Sequence, residues 1–187
     1  MTARVSLVAV VQTSNLKIDA TVIQANESEV SAKQDMKNPG TIDQLAEYPS
    51  VITLPVQWGV QDAFGHVNNV IYFRWYESAR IDYMNLLDVE CFDVERENSN
   101  IGPIIASITC DYKKQLKFPD TVHVGTRVTR FGNSSMQIDH AVFSESHQAV
   151  ATTGTSICVV FDYTANKPVL IPVELRDAIT ELEGHEI

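Results

Sequence analysis

The stretch Asn69–Leu87 constrains this chain more than any other part of it. Its spacing predicts one long helix, opened by Asn68 or Asn69 as the N-cap. At about 100° per residue, Glu77 shares a side with Val70, Phe73, Ile81 and Met84, while Tyr72, Tyr76, Tyr83 and Leu87 extend the apolar surface. Only Arg74, Ser78, Asp82 and Asn85 form a polar stripe. A helix this apolar is expected to be buried, with a sheet wrapped around it. The sheet is legible on both sides. Before the helix, Val51, Thr53, Pro55 and Gln57 alternate with Ile52, Leu54, Val56 and Trp58. After it, alternation returns over 104–118, 121–131, 135–145 and 149–162. In the first of these, Ile104, Ala106, Ile108, Cys110, Tyr112, Leu116 and Phe118 are expected on one face. Turns at Pro119-Asp120, Gly132-Asn133-Ser134 and Ser144–Gln148 predict successive hairpins, an antiparallel meander. A short helix, Val173–Leu182, follows Pro172. The predicted class is α+β, an antiparallel sheet of about five strands wrapped around one long central helix.

The 187 residues exceed what that arrangement needs. Residues 20–48 are rich in Ser, Gln, Asn, Asp and Glu and hold no aromatic until Tyr48. Residues 1–48 therefore read as a leader or poorly ordered extension, and 49–187 as one domain. Within the extension, Val5–Val11 could pair as a strand, and Met36 would suit the start of a shorter product. The formal net charge is −10, from 14 Lys and Arg against 24 Asp and Glu. Ten of those bases and eighteen of the acids follow residue 48, so the acidity belongs to the folded part. That balance argues against a nucleic-acid partner, since phosphate-backbone affinity comes from clustered bases. No apolar run approaches the ~20 residues of a membrane helix, and the start lacks the features of a secretory or mitochondrial leader. Cys91, Cys110 and Cys158 show no metal spacing and read as thiols of a reducing compartment. A soluble, cytoplasmic protein without a membrane partner is expected.

The segment most suggestive of chemistry precedes and enters the helix. It reads Trp58-Gly59-Val60-Gln61-Asp62-Ala63-Phe64-Gly65-His66-Val67-Asn68-Asn69-Val70-Ile71-Tyr72-Phe73-Arg74-Trp75-Tyr76-Glu77-Ser78-Ala79-Arg80. Its D-x-x-G-H-V-N-N loop, followed by Y-x-x-(W/Y)-x-E-x-A-R, resembles the hotdog-fold thioesterases, nearest the 4-hydroxybenzoyl-CoA thioesterase and acyl-CoA or acyl-carrier-protein thioesterase group. The likeness spans roughly residues 50–172. It implies the hotdog fold, a homodimer or homotetramer with sites between subunits, and no metal or redox cofactor; coenzyme A or a carrier protein enters as part of the substrate. It also implies a catalytic aspartate at Asp62 and a carbonyl-polarising backbone N–H at Asn69. In another branch a helix glutamate carries the chemistry, and that position matches Glu77. Many relatives have D-x-D in the loop, where this chain has Val60 in place of the first Asp.

The residues make chemical sense independently. A carboxylate can attack a thioester carbonyl, giving a mixed anhydride, or activate a water. The free N–H groups of a helix N-terminus favour the developing oxyanion. Gly65 would let the backbone approach a ligand. His66 anchors the loop or contacts substrate, and Asn68 and Asn69 serve most simply as caps. Gly65, His66, Asn68, Asn69 and Tyr72 complete the candidate substrate-facing set around Asp62. Asp62 could instead accept loop N–H groups. Glu77, counted with Asp62 as catalytic, could hold the loop and a water, or be neutralised by Arg74 or Arg80. Lys113, Lys114, Lys117, Arg127 and Arg130 lie close together in sequence, either as solvated strand faces or as contacts for coenzyme A phosphates or an acidic carrier. The acidic run from Asp88 to Glu97 reads as a solvated loop. The expected activity is hydrolysis of acyl-coenzyme A to acid and thiol. Acyl-carrier-protein hydrolysis, or non-catalytic binding of acyl thioesters, is the alternative.

Overall fold

The structure, a computed structural model, describes residues 42–87, 89 and 100–187. The expected strand Val5–Val11, Met36, Cys91 and most of the acidic run lie outside the described residues. The elements are β1 (Ser50–Val56), α1 (Asn69–Leu86), β2 (Ile101–Tyr112), β3 (Asp120–Phe131), β4 (Ser135–Ser144), β5 (Ala149–Asp162), the two-residue β6 (Lys167–Pro168) and α2 (Val173–Glu183). Five long antiparallel strands lie in the order β1-β3-β4-β5-β2, with β6 paired to the end of β5. The long helix packs against this curled sheet, which is the hotdog fold.

Two of the three expected hairpins form, β3–β4 and β4–β5. The meander does not extend to β2, which pairs with β5 at the far edge. The chain between β2 and β3 crosses the end of the sheet instead. Leu116 is fully buried there, and its carbonyl accepts the Val67 N–H at 2.8 Å. The regular alternation expected over 104–118 fails for a second reason. The pairing register shifts between Ile105 and Ser107, so Ile104 does not share a face with Ile108 and Cys110.

Burial of α1 also differs from the expectation. Ile71, Tyr72, Trp75, Tyr76, Ala79 and Tyr83 face the sheet. Glu77, Val70 and Ile81 are exposed, so Glu77 is not enclosed by apolar neighbours. A helix apolar on nearly every side does not announce which side the sheet will cover; the bulky aromatic stripe wins because it buries the most area.

The core divides into two apolar clusters with a polar band between them. Inward positions on β3 run Val122, Val124, Thr126, Val128, and on β4 Met136, Ile138, His140, Val142. His140 bonds Thr126 Oγ1 at 3.1 Å and Ser156 Oγ at 3.0 Å, and Arg80 donates to the same Ser156 oxygen. The Tyr76 ring stacks on the imidazole, with centroids 4.5 Å apart. Burial, reinforced by the Arg80 charge, lowers the His140 pKa to about 3 from the ordinary 6.5. The unfolded chain therefore binds the extra proton between those values, and stability falls as pH falls through that window. Urea titrations from pH 7 to pH 4 should show up to about a tenfold rise in the unfolding constant per pH unit from this residue. His140→Gln should remove that component of the slope.

Residues 42–48 pack on the opposite, outer face of the sheet. Leu45 is buried against Ala141 and Phe143. Tyr48 lies over Gly125, where a Cβ would meet its ring at 2.6 Å, and beneath the Arg127 guanidinium. Glu47 pairs with Arg127 at 2.6 Å. These contacts lie on the leader side of residue 49.

Candidate active site

The loop before α1 is built by its own hydrogen bonds. Gln61 and Val67 pair as an isolated antiparallel bridge, and the Asp62 N–H donates to the His66 carbonyl at 2.7 Å. Asp62 Oδ1 accepts from the Phe64 N–H at 2.8 Å and the His66 N–H at 3.2 Å. The carboxylate thus holds the loop with one oxygen and keeps Oδ2 for other work. Gly65 sits at φ 75°, and a Cβ there would meet nothing within 4 Å. The left-handed turn at this position is one that only glycine adopts without strain.

Asn68 is the N-cap of α1, its side chain accepting from the Val70 N–H at 3.1 Å. Its carbonyl accepts from the Ile71 N–H at 3.0 Å. The Asn69 N–H makes no hydrogen bond among the described residues. It therefore stands as an open donor at the positive end of the helix dipole.

A cleft of about 800 Å³ gathers most of the expected site residues: Asp62, His66, Asn68, Asn69 and Tyr72 border it. Gly65 and Glu77 do not. Tyr72 is buried in an aromatic run, its ring 5.1 Å from both Trp75 and Tyr112, and burial raises its phenol pKa to about 12. Tyr112 also donates to the Asn69 carbonyl at 3.4 Å, tying the end of β2 to the start of α1.

The far wall is less legible in the sequence. Lys113 and Lys114 line the cleft, as do Gln115 and His147. The rest of the basic cluster goes elsewhere: Lys117, Arg127 and Arg130 are absent from the lining, and Arg127 is engaged on the outer face of the sheet. His147 comes from the β4–β5 turn, with nothing in its local sequence to mark it. Its Nε2 lies 2.9 Å from the Gln115 carbonyl oxygen, and its N–H donates to Ser144 Oγ. Among the described residues no group of His, Cys, Asp and Glu side chains is placed to hold a metal ion. None of their helices is long and apolar enough to cross a membrane.

Known proteins share the fold and the family of this chain. A family described as the thioesterase-like superfamily matches residues 56–179. A thioesterase from Thermus thermophilus, solved with coenzyme A and Zn, superposes with a TM-score of 0.65 at 26% identity, covering 75% of this chain and 98% of that one. The PA5185 protein from Pseudomonas aeruginosa PAO1 is 30% identical, with a TM-score of 0.63 over 74% of this chain and 94% of its own. The chloroplastic acyl-acyl carrier protein thioesterase ATL3 of Arabidopsis thaliana is 25% identical over 62% of this chain. That match spans 59% of the plant protein, and another curated relative is matched over 54% of its length.

Proposed function

Since this chain belongs to the thioesterase-like superfamily, we propose that it hydrolyses acyl-coenzyme A to the free acid and coenzyme A. One observation carries the reading: Asp62 and Asn69, whose N–H is unengaged among the described residues, border the same cleft. In the proposed reaction the thioester oxygen points at the Asn69 N–H, which stabilises it as negative charge develops. Asp62 Oδ2 either attacks the carbonyl carbon or takes a proton from an attacking water. The carbon–sulfur bond then breaks and the thiolate leaves; where Asp62 has attacked, water next hydrolyses the anhydride, releasing the acid and restoring the carboxylate. Water, a carboxylate and an N–H donor suffice, so the reaction needs no cofactor beyond the coenzyme A of the substrate. Gly65 shapes the loop, His66, Asn68 and Tyr72 line the substrate path, and Glu77 acts from outside the cleft that one chain forms.

We infer a homodimer or homotetramer. Among the described residues the 12-residue β2 is the outermost strand of the sheet, and α1 exposes Val70, Ile81 and Leu86. A second copy covering that edge and face would remove an aggregation-prone strand edge and bring Glu77 toward the shared surface. Sedimentation analysis decides it, and a monomer at micromolar concentration would refute it. Cys110 and Cys158 are both free thiols, which suits a cytoplasmic setting.

The test is a panel of acyl-coenzyme A esters of varied chain, with thiol release as readout. Release above the buffer rate for at least one ester is expected; none across the panel sinks the reading. Acyl-carrier-protein thioesters belong in the same panel, because one relative is a thioesterase for such substrates. Hydrolysis of those alone would move the assignment to them. Binding without hydrolysis would leave an acyl-thioester-binding protein.

A further inference from the structure

The start of β5 carries a bulge. Phe143 pairs with Val150 and Val142 with Thr152, so Ala151 has no partner in the β4 ladder. Its carbonyl instead accepts the Lys113 and Lys114 N–H groups at 2.8 and 3.0 Å, which fixes the end of β2 where it borders the cleft. One residue earlier, the Val150 N–H donates to Gln44 Oε1 at 3.1 Å. Gln44 Nε2 donates to the Gln148 carbonyl at 3.3 Å. One side-chain amide thus clamps the backbone on both sides of residue 149, as a neighbouring strand would. Gln148 holds φ 49°, a left-handed conformation that a residue with a side chain keeps only where its surroundings impose it. Gln44 is exposed, but the next residue, Leu45, is buried against Ala141 and Phe143, with Val150 packed on the same cluster. Glu47 and Tyr48 fasten the other end of the segment at Arg127 and Gly125. The amide is therefore presented on an anchored strap.

We propose that residues 42–48 are a strap that sets the second wall of the cleft, with Gln44 as a positioning residue for the substrate. This rests on the thioester-hydrolase reading and adds to it the element that holds the wall away from Asp62. The two walls are built differently. The Asp62 loop is closed largely by hydrogen bonds among residues 60–68. The second wall joins Lys113, Lys114 and Gln115 to His147 across the sheet, and its links run through Ala151, the Gln115 carbonyl and Ser144 Oγ. The clamp sits between those links. Asp120 supports the turn from β3 through Ser144 and Ser146, so loss of the clamp loosens the wall without melting it. Among the described residues the strap makes no hydrogen bond to the Asp62 loop. Binding contacts and chemistry are thereby supported separately.

The experiment uses the full-length protein carrying Gln44→Ala, with Glu47→Ala as a strap variant that leaves the clamp in place. Amide hydrogen exchange, read residue by residue by NMR, should quicken about fivefold at Lys113, Lys114 and His147 in Gln44→Ala, while Phe64 and His66 stay within about twofold. KM for the best ester of the panel should rise about fivefold with kcat within about twofold, and the melting temperature should fall by less than about 3 °C. Gln44→Glu keeps an acceptor for the Val150 N–H and loses the donor to Gln148, so it should fall between Gln44→Ala and wild type. Glu47→Ala should match wild type in KM and at those amides. Quickening confined to Val150, an unchanged KM in an active enzyme, or an equal rise in KM for Glu47→Ala overturns the strap's role. Exchange needs no turnover. If no ester is hydrolysed yet exchange quickens along the second wall, the hydrolase reading fails and the strap stands. An active enzyme whose KM is indifferent to Gln44 does the reverse.

Discussion

Asp62→Asn should lower kcat for acyl-coenzyme A hydrolysis by about three orders of magnitude, within the range expected when a nucleophile or general base is removed. The substitution is well suited to the loop. Asparagine retains a carbonyl oxygen to accept the Phe64 and His66 N–H groups, so the turn keeps its hydrogen bonds. It loses the anionic oxygen, and with it both the nucleophile and the base. The melting temperature should therefore stay within about 2 °C of wild type while activity collapses. Comparable rates for the two proteins would remove Asp62 from the chemistry and leave it with its turn. Hydrolysis in labelled water under single turnover and trapping with hydroxylamine separate the two roles: oxygen entering the protein at Asp62 or a trapped aspartyl adduct marks an anhydride intermediate, and label in the product acid alone with no adduct marks an activated water.

The largest stability effect is expected at Gly154, well away from that chemistry. This glycine sits on β5 beneath the Tyr76 ring, opposite His140 on β4. A Cβ added there would clash with the Thr109 carbonyl oxygen of β2 and come within 2.6 Å of the Tyr76 ring. The backbone of the neighbouring strand cannot yield without breaking the β2–β5 ladder. Tyr76 cannot yield without losing its stack on His140 and its bond to Thr152 Oγ1 at 3.1 Å. Overpacking of this kind costs about 1–3 kcal/mol or more, which lowers the melting temperature of a domain this size by about 5–10 °C. Gly59→Ala is the control, since a Cβ there meets nothing within 4 Å, and it should shift melting by less than about 2 °C. Equal melting curves for the two variants would mean that the sheet accommodates a side chain beneath Tyr76.

Features that depend on near neighbours along the chain are legible in the amino-acid order. Asn68 is one of two expected caps and is the cap; the helix ends one residue short of its expected limit, and β5 spans 149–162 as its alternation predicts. The loop around Asp62 is equally local: a carboxylate reaching N–H groups two and four residues on, and a glycine at positive φ. The motif could therefore point to five residues that share the cleft.

What spacing could not supply is which distant segments meet. The β2–β5 pairing, the bulge at Ile105/Ser107 and the crossing through Leu116 depend on closing long loops, a cost and reward invisible to local periodicity. The exposed position of Glu77 is hidden in the sequence because α1 is apolar on more than one side, and packing area against the sheet makes the choice. His147 and Gln115 enter the cleft for the same reason. Their segments carry no motif, and only the end of β2 lying against the β4–β5 turn sets them beside Lys113 and Lys114. The helix, the strands and the loop around Asp62 are thus written into the order of the residues, because short-range hydrogen bonds and alternation define each of them. The strand order, the covered face of the helix and the second wall of the cleft arise only on folding, because they follow from contacts between segments far apart in the chain.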